Sequence, residues 1–183
     1  MIQIAILGRG GQGAVKASQL LAKAAFYQGF QSQAFPFFGT ERRGSPSYAF
    51  VRIDKNLIRT REHIHDADYL IVLDSSLIGN KEQEVTELKA KKILLNSDKK
   101  FTNAINFNAA EIAKEFPQAV NTVMVAAFCG LSGMIKKENL IEACDIFPVA
   151  VREANKKIIE RVFSSCDEPG NKHAKKICKL MIK

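Results

Sequence analysis

The chain has 183 residues and a formal net charge of +8 at neutral pH, and 46% of its residues are hydrophobic. This length favours one domain, and the composition is globular rather than disordered. No apolar run approaches the ~18 residues of a membrane span, so we expect a cytoplasmic protein without membrane contact. The basic excess suits phosphate-bearing ligands, nucleic acid or an acidic protein partner, and charge alone does not separate these. With no Trp and three Tyr, few rings are offered for base stacking, so nucleic acid is not the expected partner.

The first third of the chain alternates short apolar runs with turn residues. Residues 2–7 are apolar except for Gln3, as expected of a buried parallel strand. Glycines interrupt it over 8–13, and the alanine-rich segment 14–28 is predicted to be a helix that ends at Gly29. The remaining predicted elements are a strand at 32–35, a loop over 35–46, a strand at 47–53, a turn at 54–56 and a hairpin partner at 57–60.

The rest of the chain continues the alternation of strands and helices. Strands are predicted at 69–73, 92–95 and, at a sheet edge, 105–107; helices are predicted at 75–90, 109–116, 122–131, 138–144 and 149–163. This order predicts an α/β fold: a Rossmann-like, mostly parallel sheet with helices on both faces. We assign residues 1–165 to this domain and residues 166–183 to a basic C-terminal tail. Ser75 and Ser76 follow Asp74 without a nucleophile-elbow pattern, which favours a helix N-cap over a catalytic serine.

The cysteines are not arranged as a metal site. Cys129, Cys144, Cys166 and Cys178 are far apart in sequence. Zinc and iron–sulfur sites usually use close pairs such as C-x-x-C. We therefore expect no metal site and no cluster on this chain, and we expect the cysteines to be mainly core residues.

A glycine-rich turn follows the first predicted strand and opens the first predicted helix. Its residues are Gly8, Arg9, Gly10, Gly11, Gln12 and Gly13, which fit the pattern G-x-G-x-x-G. Glycines let the backbone approach a phosphate, and the helix N-terminus offers unpaired N–H groups with a partial positive charge. Arg9 would add a charge-assisted contact. The alternative is that the glycines only make a tight strand-to-helix turn.

Binding of a nicotinamide dinucleotide is disfavoured. It needs an acidic residue about 20 residues after the glycine turn, at the end of the second strand, for the ribose hydroxyl. No Asp or Glu lies between Ala14 and Thr40, and no Arg for a 2′-phosphate precedes Arg42. A stand-alone nucleotide-binding or NAD(P)-dependent oxidoreductase domain is therefore kept only as the alternative function.

A second group of candidate residues lies in the loop after the second predicted strand. Arg42, Arg43 and Gly44 follow one another there. Adjacent guanidinium groups suit bidentate binding of phosphate or carboxylate. In a doubly wound sheet, loops at the carboxyl ends of strands meet at the binding crevice, so this loop would share a rim with the glycine turn. From composition alone, a solvated or subunit-facing loop is as well supported.

Three stretches carry a family resemblance: GRGGQGAV at 8–15, FGTERRGSPSYAFVRI at 38–53 and DADYLIVLD at 66–74. Together they resemble the γ subunit of 2-oxoacid:ferredoxin oxidoreductases, most closely the pyruvate or branched-chain type. The resemblance covers about residues 1–165, and Asn121 and Asn155 also match family positions. The basic tail extends beyond it.

The resemblance implies that the chain is inactive alone and works in a complex that converts a 2-oxoacid and coenzyme A to acyl-CoA and carbon dioxide, with electrons passing to ferredoxin. Thiamine diphosphate and iron–sulfur clusters would lie on sister subunits, and this chain would support assembly and contribute to a coenzyme A site. The residues assigned to that site are Gly8, Arg9, Gly10, Gly11, Gln12, Gly13, Arg42, Arg43, Gly44 and Asn121. No catalytic residue is assigned.

Overall fold

Across the residues that the structure describes, the fold is built on one six-stranded sheet. The structure, a computed structural model, describes residues 1–37, 45–78 and 88–167. The strands are β1 (Ile2–Arg9), β2 (Gln31–Phe37), β3 (Pro46–Asp54), β4 (Asp66–Val72), β5 (Lys89–Asn96) and β6 (Ile105–Phe107). The helices are α1 (Ala14–Tyr27), α2 (Ala109–Ile112), α3 (Val120–Ser132), α4 (Lys137–Glu142) and α5 (Val149–Asp167). None of these helices is long and apolar enough to cross a membrane.

The strand order is β2-β3-β1-β4-β5-β6. β1 pairs in parallel with β4, and the pairs β4–β5 and β5–β6 are also parallel. β3 is antiparallel to both β1 and β2. The predicted α/β class with a mostly parallel sheet is thus confirmed. An antiparallel hairpin, β2–β3, is inserted between α1 and β4, so the strand that follows α1 is not the neighbour of β1.

Side chains of β1 alternate between two hydrophobic clusters, because successive residues of a strand point to opposite faces. Ile4 and Ile6 belong to a large cluster with residues of α1, α3, α4 and α5. Ala5 and Leu7 belong to a smaller cluster on the other face, which Ile64 and Leu77 help to close. Of the predicted helix at 75–90, residues 79–87 lie outside the described part of the chain; its start is a 3₁₀ turn at Ser75–Leu77, and its last residues belong to β5.

The predicted hairpin partner at 57–60 is wrong, because these residues form no strand. Instead, side chains of the sheet donate hydrogen bonds to two carbonyl groups of the segment 57–62. Gln33 donates from Nε2 to the carbonyl of Ile58 at 3.2 Å, and Arg52 donates from Nη2 to the carbonyl of Glu62. Arg52 is 1% exposed, and its guanidinium carbon lies 4.9 Å from the centroid of the Phe35 ring. The segment therefore crosses the smaller cluster as a cover rather than extending the sheet.

The described cysteines are not grouped as metal ligands. Cys129 and Cys144 are fully buried in the larger cluster, in α3 and in the 3₁₀ turn after α4. Burial raises the pKa of both thiols, that of Cys144 to about 11. Over the described ranges, no three His, Cys, Asp or Glu side chains lie close enough to hold a metal ion. Cys178 lies outside those ranges.

Candidate functional site

The glycine turn joins β1 to α1 and is closed by main-chain hydrogen bonds. Gly11 and Gly13 have φ of 95° and 82°, which L side chains adopt only with strain. The N–H of Gly10 donates to the carbonyl of Ser45 at 2.9 Å, and the N–H of Gln12 donates to the carbonyl of Arg9 at 2.9 Å. The glycine pattern is thus required by backbone geometry at two positions at least.

Asp74, two residues after β4, ties the turn to the neighbouring parallel strand. Its Oδ2 accepts hydrogen bonds from Arg9 Nε and from Gln12 Nε2, both at 3.0 Å. Gln12 in turn accepts, through Oε1, the backbone N–H of Arg9 at 2.7 Å. Arg9 also donates from Nη2 to Ser76 Oγ at 2.8 Å. The side chains predicted to contact a phosphate are therefore held by the protein itself in this structure.

The Asp74 carboxylate is fully engaged. Its Oδ1 accepts the backbone N–H of Ser76 at 3.0 Å and the Ser76 hydroxyl at 2.6 Å. Asp74 is therefore the N-cap of the 3₁₀ turn, in the role that the sequence predicts for a serine. Burial raises the pKa of Asp74, but the hydrogen bonds from Ser76, Gln12 and Arg9 outweigh it and hold that pKa below its ordinary value. The carboxylate is ionised at neutral pH.

Sequence reasoning missed Asp74 as part of this site. The dinucleotide-binding pattern predicts an acidic residue about 20 residues after the turn, a position that falls on β2 at the edge of the sheet. The strand that lies parallel to β1 is β4, and Asp74 stands at its carboxyl end. The signal available in sequence was an Asp directly after an apolar strand. Unlike the acid of a dinucleotide site, Asp74 already accepts four hydrogen bonds.

Asn121, at the start of α3, contacts the last residue of the glycine turn. Its Nδ2 donates to the carbonyl of Gly13 at 3.4 Å, and its Oδ1 accepts the N–H of Thr122 at 2.8 Å. Asn121 is 7% exposed. A Cβ on Gly13 would lie 2.5 Å from Asn121 Nδ2. The structure thus brings Asn121 to the predicted site, in contact with the last glycine of the turn.

A cleft of about 850 Å³ opens beside the turn, at the carboxyl ends of β4 and β5. Its described lining includes the carboxylates of Asp74, Asp98 and Glu111. Lys114 also lines it, and its Nζ lies 2.6 Å from Glu111 Oε1. The described lining therefore carries more carboxylates than ammonium groups, which disfavours a polyanion beside it.

Arg42, Arg43 and Gly44 lie in residues 38–44, outside the described part of the chain. Ser45, directly after them, accepts the hydrogen bond from Gly10. The described end of this loop therefore lies against the glycine turn, on the side of β3 rather than on the side of β4.

Comparison with known proteins decides the family. A family model described as "Pyruvate ferredoxin/flavodoxin oxidoreductase" matches residues 3–165. The chain belongs to this family. Pyruvate synthase subunit PorC of Methanothermobacter marburgensis is 43% identical over 169 residues, which cover 85% of this chain and 92% of that protein. The pyruvate/ketoisovalerate oxidoreductases common subunit gamma of Thermococcus kodakarensis is 39% identical over 178 residues, covering 90% and 96%.

A solved structure agrees with this assignment to the pyruvate ferredoxin/flavodoxin oxidoreductase family. The crystal structure of pyruvate oxidoreductase subunit PORC from Thermotoga maritima matches with a TM-score of 0.71 and 30% identity, covering 89% of this chain and 95% of that one. The resemblance drawn from the sequence motifs is confirmed, and the chain is one subunit of a multi-subunit oxidoreductase. This replaces the alternative of a stand-alone NAD(P)-dependent enzyme.

Proposed function

We propose that this chain is the γ subunit of a complex that oxidatively decarboxylates pyruvate or a branched-chain 2-oxoacid to acyl-CoA and passes the electrons to ferredoxin. The observation that carries the proposal is the match along residues 3–165 to a family whose relatives bear these subunit names. We place thiamine diphosphate and the iron–sulfur clusters on sister subunits. The buried thiols Cys129 and Cys144, with raised pKa values, are poor cluster ligands on this chain.

Gentle anaerobic purification of the native protein tests the subunit assignment. We expect sister chains to co-elute, with thiamine diphosphate and the visible absorbance of iron–sulfur clusters. The preparation should reduce ferredoxin in the presence of a 2-oxoacid and coenzyme A. A colourless protein that elutes alone under the same conditions would contradict an assembly role for this chain.

We further propose that the phosphates of coenzyme A bind at the rim between the glycine turn and residues 42–44, rather than inside the cleft. The N–H groups of Gly11 and Gly13 have no hydrogen-bond acceptor among the described residues. They precede the N-terminus of α1, whose dipole favours an anion. The described lining of the cleft has three carboxylates and one ammonium group, a balance that would disfavour a phosphate there. Arg42 and Arg43 would add charge-assisted contacts to the phosphates.

The double variant Arg42→Ala, Arg43→Ala tests the coenzyme A role. A charge-assisted hydrogen bond contributes roughly 1.5–3 kcal/mol, so the loss of two arginines should raise the KM for coenzyme A by about tenfold or more. Acyl-CoA formation should fall while decarboxylation of the 2-oxoacid persists. The matched control is Arg59→Ala, Arg61→Ala, which removes the same charge from two exposed positions of the segment over the smaller cluster. Unchanged dependence on coenzyme A would contradict this role and leave the subunit assignment intact.

A further inference from the structure

Asp74 joins both flexible side chains of the glycine turn to the end of β4. We propose that Asp74 is a positioning residue: its carboxylate holds Arg9 and Gln12 so that the turn keeps one conformation and offers backbone N–H groups, rather than the Arg9 guanidinium, to an anionic ligand. The part that concerns the ligand rests on the proposed coenzyme A role. The part that concerns the conformation of the turn is independent of that role.

The hydrogen bonds around Asp74 form a closed set. Asp74 Oδ2 accepts from Arg9 Nε and Gln12 Nε2, and Gln12 Oε1 accepts from the backbone N–H of Arg9. Each of the two turn residues is thus bound both to Asp74 and to the other. Ser76 fixes the carboxylate from the opposite side through its N–H and hydroxyl. Rotation of Asp74 would break its hydrogen bonds to Arg9, Gln12 and Ser76 together.

The set also controls which groups of the turn are available. The guanidinium of Arg9 is neutralised by a carboxylate at 3.0 Å, and both side chains are partly shielded, with 40% of Arg9 and 24% of Asp74 exposed. The N–H groups of Gly11 and Gly13 are not used within the described residues. An anion that approached Arg9 would first have to compete with Asp74.

The two possible roles of Arg9 give opposite results when Asp74 loses its charge. If Asp74 positions the turn, the variant Asp74→Asn loosens it and weakens binding of an anionic ligand. If Arg9 is itself the ligand-binding group, the same variant releases Arg9 and strengthens binding. The sign of the change therefore separates the two.

The matched control is Asp68→Asn, at the other end of β4. Asp68 accepts hydrogen bonds from the N–H of Gln3 and from Lys91 Nζ, both at 2.8 Å, and 26% of its side chain is exposed. The two variants thus remove similar carboxylates, one within β4 and one directly after it, but only Asp74 contacts the turn.

Two measurements test the proposal. The first is NMR hydrogen exchange on the full chain for the amides of Arg9, Gly10 and Gln12, whose hydrogen bonds close the turn. We expect exchange to be at least tenfold faster in Asp74→Asn and unchanged in Asp68→Asn. The second is steady-state kinetics of the assembled complex. We expect the KM for coenzyme A to rise at least fivefold in Asp74→Asn, with kcat and the KM for the 2-oxoacid unchanged.

The outcomes separate the proposal from the proposed function. Unchanged exchange in Asp74→Asn overturns the positioning role, and so does a lower KM for coenzyme A. Faster exchange with an unchanged KM supports the positioning of the turn and instead contradicts the coenzyme A role.

If Asp74→Asn does not fold, the variant Gln12→Glu replaces it. The added carboxylate repels Asp74 and leaves the hydrogen bonds between Asp74 and Ser76 intact. The same faster exchange is expected at the amides of Arg9 and Gly10.

Discussion

Gly13 lies where three elements meet: it ends the turn after β1, begins α1 and contacts α3 through Asn121. Its φ of 82° favours glycine, and its carbonyl accepts both the N–H of Ala17 and the amide of Asn121. A side chain there would be penalised twice, by backbone strain and by contact with Asn121. Sequence indicated the glycine, since the motif is local. The contact with Asn121, 108 residues away, was not visible in it.

We expect Gly13→Ala to lower the free energy of unfolding clearly more than Gly29→Ala. Gly29 also has a positive φ, 91°, but a Cβ there would meet no atom within 4 Å. Gly29→Ala should therefore show the cost of backbone strain alone, about 1–2 kcal/mol. Urea unfolding of both variants measures the difference, and adding Asn121→Ala to Gly13→Ala should recover part of the loss. Equal losses for the two glycine variants would show that the contact with Asn121 is unimportant.

The helices α3 and α5 are joined by a buried polar contact. Thr122 donates its hydroxyl to Asn155 Oδ1 at 2.6 Å, and Asn155 donates from Nδ2 to the carbonyl of Val151 at 2.8 Å. Thr122 is fully buried, and Asn155 is 6% exposed. The sequence predicted both helices by periodicity and singled out Asn155 as a family position. The identity of its partner depends on how the two helices pack.

Removing either partner of this contact alone should lower the free energy of unfolding by more than half of the loss in the double variant. Thr122→Val and Asn155→Leu should each lower the free energy of unfolding by about 1–3 kcal/mol, because a buried polar group is left unpaired. The double variant should lose less than the sum of the two. Urea unfolding of the four proteins gives the coupling. As a control on α5, Glu153→Ala with Lys156→Ala removes an exposed ion pair and should leave stability unchanged. Additive losses at Thr122 and Asn155 would refute the coupling.

In the molecule as a whole, two carboxylates near the ends of β4 bind groups of the neighbouring strands and of the glycine turn. Asp68 binds Lys91 and the N–H of Gln3, and Asp74 binds the glycine turn. Burial raises the pKa of each carboxyl, but the hydrogen bonds from these partners lower it by more, so that both pKa values lie below the ordinary one. A carboxyl with a depressed pKa in the folded state stabilises the fold above its unfolded pKa, about 3.9. That stabilisation is lost as the pH falls through the folded pKa.

We therefore expect the free energy of unfolding to fall as the pH drops below about 4. The double variant Asp68→Asn, Asp74→Asn should be less stable than the natural chain at pH 7. The difference should shrink at pH 3, because the carboxylates of the unfolded chain are then mostly protonated and the lowered folded pKa contributes less stability. Urea unfolding at the two pH values checks this. A difference between the two proteins that stays constant with pH would mean that the two carboxylates stabilise the fold by packing rather than by charge.

The sequence by itself determined the α/β class, β1, the glycine turn, α1 and the family, because periodicity and glycine placement are local properties of the chain. Only the tertiary structure decided the order of the strands, which puts β4 and not β2 beside β1 and so brings Asp74 to Arg9 across 65 residues. The same holds for residues 57–60, which form no strand and where the carbonyl of Ile58 accepts a hydrogen bond from Gln33 instead. Strand pairing depends on how distant surfaces fit together, and short stretches of sequence do not specify that fit.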